Sequence, residues 1–339
     1  MRQVKITFLL LTLACVGSQA VRADWHKLNM NSFAWYKDIT FVNKDRGWIV
    51  GTDGVILSTD NGGASWQPNK RFTTDAILQI NFTDDSTGWM LCERNVYARG
   101  NNPISYLRKT TNGGVTWEKV EFEDIGRERV TRMLFSADGR ATAFGEGGIF
   151  YKLQEDGLTW KKSVSMIHFV LLDGAFTGNA GLGAIVGAGG TIMFTDDGGL
   201  TWEKATLMGN TDAKLNAISF GGPKGGWAVG NGGSIFHSNG GARLWREQPQ
   251  VTASNLNDVY FADASRGWVV GDNGTILRTR DGGSSWSEMT SRVTHKLEKI
   301  VFNGGRGFAI GFGGTLLMYD DAPTPKEDPG GKPTLLKRS

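Results

Sequence analysis

Residues 257–286 read NDVYFADASRGWVVGDNGTILRTRDGGSSW, and residues 37–66 read KDITFVNKDRGWIVGTDGVILSTDNGGASW. The two stretches differ mainly at solvent-type positions. Looser copies end on Trp117, Trp160, Trp202 and Trp245, and a seventh, through Phe308 to Tyr319, lacks its closing tryptophan. With Trp25 included, the closing tryptophans at 25, 66, 117, 160, 202, 245 and 286 are separated by 41, 51, 43, 42, 43 and 41 residues. Self-similarity at this period marks stacked supersecondary units, and a four-stranded propeller blade requires about 40–50 residues.

Within the sixth copy, residues 258–261, 267–270, 275–279 and 285–289 are β-branched or alternate in polarity, and Gly and Asp-Asn-Gly pieces separate them. That is strand and turn chemistry. The seventh copy supplies three strands, near 297–302, 307–310 and 315–319, before the chain becomes proline-rich. A missing fourth strand would leave an unpaired edge, which proteins avoid. The N-terminal stretch Asp24-Trp25-His26-Lys27-Leu28 matches a fourth strand, as in Thr116-Trp117-Glu118-Lys119-Val120. The sequence therefore predicts an all-β, seven-bladed propeller over 24–319, closed by an N-terminal strand that completes the last blade.

Residues 1–23 read as a secretory signal: Arg2 and Lys5, an apolar run from Ile6 to Val16, then small residues up to Ala23, with cleavage after Ala23 or Ala20. Lipidation at Cys15 is the alternative; Thr12-Leu13-Ala14-Cys15 has the small residue before cysteine but lacks the usual leucine at its first position. The leader carries Arg2, Lys5 and Arg22 and no acid, so its removal takes the formal net charge from +3 to zero. The basic balance belongs to the leader and gives no support to nucleic-acid binding. Cys92 is then the one remaining cysteine, and no intrachain disulfide is expected. The segment 320–339 holds Pro323, Pro325, Pro329 and Pro333 and reads as a disordered tail.

Four copies carry a hydroxyl, Asp or Asn, Gly, a hydroxyl and Trp at fixed offsets: Thr59-Asn61-Gly63-Ser65-Trp66, Thr110-Asn112-Gly114-Thr116-Trp117, Thr195-Asp197-Gly199-Thr201-Trp202 and Thr279-Asp281-Gly283-Ser285-Trp286. Short polar side chains bond amides of their own turn, glycine accepts positive φ, and the indole buries apolar area. This is the Asp-box, or bacterial neuraminidase repeat, degraded at Glu155-Gly157-Thr159-Trp160 and around Trp245. An Asp recurring in every blade is a turn device rather than a catalyst. Eleven of the twelve tryptophans fall on repeat positions, and Trp35 is left over.

The strand pattern GW.VG..G.I..T.DGG..W, clearest at 38–66 and 257–286, resembles the photosystem II stability/assembly factor family of seven-bladed propellers. The resemblance covers nearly all of 24–319 and implies an exported, non-enzymatic protein that binds a membrane-protein complex or its subunits during assembly. The chain is expected to be monomeric on its own and to act in a periplasm or thylakoid lumen, with no cofactor, metal, nucleic acid or small-molecule substrate expected. An accessory subunit of an envelope transporter is an alternative client relationship. A glycoside hydrolase is the enzymatic alternative, since sialidases and some glucanases share the Asp-box. No Arg-Ile-Pro occurs in the chain, and no acid stands out at the inner-strand starts, although a glucanase would need two carboxylates ~5–10 Å apart. His26, His168, His237 and His295 lie in different blades without ligand spacing.

A propeller's connections alternate between two faces. Box turns lie on one; second-to-third turns and blade-to-blade connections lie on the other. On that second face residues 92–106, CERNVYARGNNPISY, form an unusually long turn, and the connection 118–131 is long as well. With adjoining strands they bring Arg94, Arg99, Arg108, Lys109, Arg127, Arg129 and Arg132 into one sector, beside Lys70 and Arg71. Interspersed acids, among them Glu93, Glu121, Glu123 and Glu128, are equally consistent with a solvated charged surface. The expected partner-binding set is Arg94, Arg99, Arg108, Arg127, Arg129 and Arg132, with Trp35 as an apolar anchor, because long loops on rigid scaffolds concentrate function. The resembled family is associated with an arginine-rich surface, which supports this set without a residue-by-residue correspondence.

Overall fold

A computed structural model describes residues 24–97, 99–163, 167–178, 181–223 and 225–320. The expected leader, Cys15 included, and the expected tail beyond Asp320 lie outside the described residues. Seven sheets, each with four antiparallel strands at its core, follow one another along the chain, as the repeat predicts. Blade 6 is typical, with strands Leu256–Phe261, Gly267–Gly271, Ile276–Thr279 and Ser287–Glu288 in spatial sequence. Blade 7 is composite: Leu297–Asn303, Arg306–Gly311 and Leu316–Asp320 come from the C-terminal side, and His26–Lys27 from the N-terminal side. His26 pairs with Met318, Lys27 with Leu317, and Leu28 N–H donates to Leu316 O at 2.9 Å.

The repeated aromatics form sandwiches at the seams. The second-strand tryptophan of one blade stacks on the inner-strand phenylalanine of the next, and that blade's box tryptophan meets the same ring edge-on. Trp48, Phe82 and Trp117 do this with centroid separations of 4.3 and 5.9 Å. Trp227, Phe261 and Trp286 repeat the pattern, and Trp25 supplies the edge-on ring against Phe302 beneath Trp268, at 6.4 Å. The glycine before each second-strand aromatic is explained by the same packing, since a Cβ at Gly267 would lie 2.4 Å from the Phe261 ring. At the seams following blades 3 and 4 the second-strand aromatic is replaced by Thr142 and Ala184.

Each intact box is closed by its own side chains. Thr279 Oγ1 accepts Gly283 N–H and donates to Asp281 Oδ1, both at 2.8 Å. Asp281 in turn accepts Ser285 N–H at 2.9 Å and Ser285 O–H at 2.6 Å. Asn61 makes the equivalent turn by accepting Ser65 N–H and donating its amide to Ser65 Oγ. The degraded third box differs from the expected alignment: Asp156, not Glu155, accepts Leu158 N–H and Thr159 N–H, both at 2.9 Å. Blade 5 also exceeds the four-strand expectation. Thr206–Met208 adds a parallel fifth strand outside Leu244–Glu247.

Two outcomes are expected. Trp25 is fully buried, so Trp25→Ala should destabilise the protein by ~3–5 kcal/mol through lost burial and a cavity at the composite blade. A calorimetric melt matching wild type would remove the N-terminal strand from its closing role. The second concerns acid. Hydrogen bonds from Ser285 hold the Asp281 carboxyl at about 2. Its contribution is therefore complete above the unfolded carboxylate range near 4 and is lost as pH falls through about 2. Asp281→Asn should keep the turn, as Asn61 does, and its melting temperature should fall less than wild type's between pH 5 and pH 2.

Candidate partner-binding face

The inner strands surround the axis, and all seven contain a bulge at the same place. Register shifts fall between Tyr36 and Asp38, Ile77 and Gln79, Val130 and Arg132, Leu171 and Asp173, Leu215 and Ala217, Leu256 and Asp258, and Leu297 and Lys299. A bulge leaves one residue unpaired and re-aims its neighbours. Here the residue after each bulge ties its blade to another. Asp38 accepts Ile80 N–H at 2.9 Å, and Gln79 bonds both N–H and C=O of Met133. Arg132 donates to Asp173 at 3.1 Å, and Asp173 also accepts Ile218 N–H. Asp258 accepts from Lys299 at 3.0 Å and from Ile300 N–H at 2.8 Å. Burial pushes the Asp258 carboxyl up to about 6 against the opposing pull of Lys299. Ala217 is the exception, with no polar side chain to contribute.

This geometry corrects two of the expected contact residues. Arg132 belongs to the axial network; its side chain is only 18% exposed and is paired to Asp173. Arg94 is also turned inward, with 8% of its side chain exposed. It donates to Pro103 O at 2.6 Å, pairs with Glu121 and lies 4.3 Å from the Tyr106 ring centre, stapling the long turn of blade 2 to the following connection. Lys109 reaches the box face, where it donates to Gly157 O at 2.6 Å. The sequence shows how many cations a segment holds, but not which way each one points.

The remaining arginines stay on the connection side of blades 2 and 3. Arg127 is exposed and has no ion-pair partner among the described residues. Arg129 is half exposed and lies 3.3 Å from Glu93 and 3.8 Å from Glu146. Arg108 stacks 4.4 Å over Phe72 and donates to Trp117 O, and Arg99 donates to Asn102 O at 2.9 Å. Lys70 and Arg71 are exposed nearby along the chain. Among these cations stand Tyr97, 96% exposed, and the partly exposed Phe72 and Val96. The long connection 118–131 is partly structural: Phe122 is buried against Tyr151 and Trp160, and Glu123 N–H donates to Trp160 O at 3.0 Å.

Exposed aromatics follow the same division of faces. Phe33, Phe72, Tyr97, Phe169 and Phe312 all lie in blade-to-blade or second-to-third connections, whereas the exposed apolar residues of the box turns, Val115, Leu158 and Leu200, are aliphatic. Trp35 lies on the connection face but not with the arginines. It is half buried at the seam of blades 7 and 1, its ring edge-on to Phe312 at 5.6 Å. Sequence reading passed over Tyr97 and Phe312, although an aromatic inside a Gly- and Asn-rich turn is a usable signal.

Comparison with known proteins follows the repeat along residues 18–326. The family profile described as photosynthesis system II assembly factor YCF48 matches residues 18–168, 156–252 and 242–326. Photosystem II assembly protein Ycf48 of Thermosynechococcus vestitus is 24% identical over 265 residues, 67% of this chain and 76% of that protein. Photosystem II assembly lipoprotein Ycf48 of a Synechococcus strain is 25% identical over 160 residues, and the match spans 44% of each protein, less than half of that relative's length. Among solved structures, YCF48 bound to D1 peptide aligns with a TM-score of 0.70 at 22% identity, covering 87% of this chain and 94% of that one. A catalytically inactive virginiamycin B lyase from Staphylococcus aureus, solved with quinupristin, aligns with a TM-score of 0.72 at 11% identity, over 88% of this chain and 99% of that one. At these identities the structural matches establish the shared propeller.

Replacing Arg132 separates axial from surface roles. Arg132→Met leaves Asp173, itself 5% exposed, without its cation and should cost ~3–5 kcal/mol. A chemical-denaturation midpoint equal to wild type's would return Arg132 to the surface set.

Proposed function

This chain belongs to the Ycf48 photosystem II assembly factor family, and we propose that it is an exported, non-enzymatic propeller that docks its connection face onto a membrane-protein complex during assembly. The observation that carries the reading is where the chain departs from its own repeat. The connection into blade 2 carries Arg71 and Phe72, its long turn Arg99 and exposed Tyr97, its third strand Arg108, and the connection to blade 3 Arg127 and Arg129, which supports one shared docking sector. Arginine and aromatic residues are enriched among interface hot spots, and charge steers encounter. A non-catalytic role is supported by the axial carboxylates, since Asp38, Asp173 and Asp258 already accept bonds that join blades. The lipoprotein names of relatives and the expected leader support work outside the cytoplasm, in a periplasm or thylakoid lumen, either free or tethered through Cys15. The relatives' names make a photosystem subunit the first client to test and a transporter subunit the second.

The test is capture of solubilised membrane complexes by the tagged full-length protein. Each exposed charge contributes ~0.2–1 kcal/mol, so joint reversal of Arg71, Arg127 and Arg129 to glutamate should lower capture roughly tenfold and flatten its salt dependence. The melt should fall only slightly, through loss of the half-exposed Arg129 pairs with Glu93 and Glu146. Undiminished capture by the reversed protein would exclude this sector, and failure of the wild type to retain any integral membrane complex would overturn the reading itself.

A further inference from the structure

The seam between blades 7 and 1 carries a second aromatic and cationic cluster on the same face. Gly314 N–H donates to Ala34 O at 2.7 Å, which lays residues 32–34 against the turn containing Phe312. The approach requires glycine: Gly314 has φ +68°, and a Cβ there would lie 1.8 Å from Ser32 O. Phe33 is thereby presented 94% exposed and Phe312 48% exposed. In the equivalent turns the Phe312 position is held by Thr52, Glu146, Ala188, Asn231 and Asp272, so the aromatic is a departure from the repeat.

Beside these rings the cluster turns cationic. Trp35 is edge-on to Phe312, and Lys37 Nζ lies 3.2 Å from the Trp35 ring centre. Lys37 and Lys296 bracket Glu298 at 2.9 and 3.0 Å, so two ammonium groups share one carboxylate. The Lys37 side chain is 17% exposed and that of Lys296 38% exposed, and the exposed His295 ring is 6.0 Å from Phe312. Both cations are partly covered, and two ammonium groups sharing one carboxylate leave a net positive charge beside the apolar rings. That charge can take a further single carboxylate.

We propose that this cluster is a second docking subsite, and that it receives an extended acidic peptide segment of the partner. An apolar side chain of the peptide lies on Phe33 and Phe312, while a neighbouring carboxylate joins Lys296 and Lys37. The proposal rests on the partner-binding reading of the connection face and gives it a second, separate point of contact. Partly desolvated ammonium groups bind a carboxylate more strongly than fully solvated ones.

The probe is a short fluorescent peptide alternating leucine with aspartate and glutamate, with a lysine-for-acid peptide as control, read by anisotropy on the full-length protein. The acidic peptide should bind and the basic one should not. The double change Phe33→Ser with Phe312→Ser, and separately Lys296→Glu, should each weaken binding about fivefold or more with unchanged melts. The triple reversal of Arg71, Arg127 and Arg129 should leave it nearly intact. Absence of acidic-peptide binding, or binding lost only in the triple reversal, overturns the subsite. Loss of self-association in the double variant assigns the patch to a second copy, and binding to anionic vesicles but not to peptide assigns it to membrane; either overturns the proposal. Membrane-complex capture is scored in parallel. Capture without peptide binding leaves the general reading standing, and peptide binding without capture leaves only the subsite.

Discussion

Seven sheets packed around an axis bury both faces of every blade only if the last packs against the first, and the rest of this structure depends on that closure. Blades 1, 2, 5, 6 and 7 each contribute a large second-strand aromatic to one neighbour, and the inner-strand rings and closing tryptophans pack toward the other. A single incomplete blade would expose aromatic area that the others bury. The pairing of His26 and Lys27 with Met318 and Leu317 completes blade 7 and brings Trp25 onto Phe302 and Tyr319. Segments as distant in the chain as 26–27 and 317–318 are thereby joined in one hydrogen-bonded sheet.

Closure is reinforced at the axis by polar groups rather than by apolar ones. The common bulge turns one side chain per inner strand toward another blade, and most of these side chains are polar. Buried polar groups are costly unless each is satisfied. Here the satisfaction runs between blades: Gln79 to Met133, Arg132 to Asp173, and Asp258 to Lys299 and Ile300. Such a network specifies blade order as well as cohesion, because shifting one blade leaves charges unpaired. It also takes up carboxylates and cations that an isolated reading of their types would offer to a substrate or a partner.

The distribution of function follows from this arrangement. Positions that recur in every blade are occupied with folding: box hydroxyls and acids close turns, tryptophans fill seams, and bulge neighbours hold the axis. What remains for recognition is what does not recur. The long turn of blade 2, the connection leading to blade 3 and the aromatic turn of blade 7 are such departures, and all lie on the connection face. Rigid blades hold these segments in fixed relation, so under the proposed function one partner would be read at two points.

The sequence by itself determined the number of blades, their four-strand plan, the identity of the closing strand and the structural role of the box. Each is written in local periodicity: tryptophan spacing counts blades, alternation marks strands, and a repeat lacking its last strand calls for a complement. Side-chain direction was not written there. Arg94, Arg129 and Arg132 look alike as residues, yet the first staples a loop, the second remains half exposed and the third enters the axial network. The difference arises from a bulge and from carboxylates supplied by other strands, Asp173 on blade 4 being the partner of Arg132 on blade 3. Trp35 likewise became interpretable only when folding placed Lys296 and Phe312, more than two hundred residues away, beside its ring. Local pattern is set by neighbours in the chain, whereas charge pairing and exposure are set by neighbours in space, and only the closed ring brings the latter together.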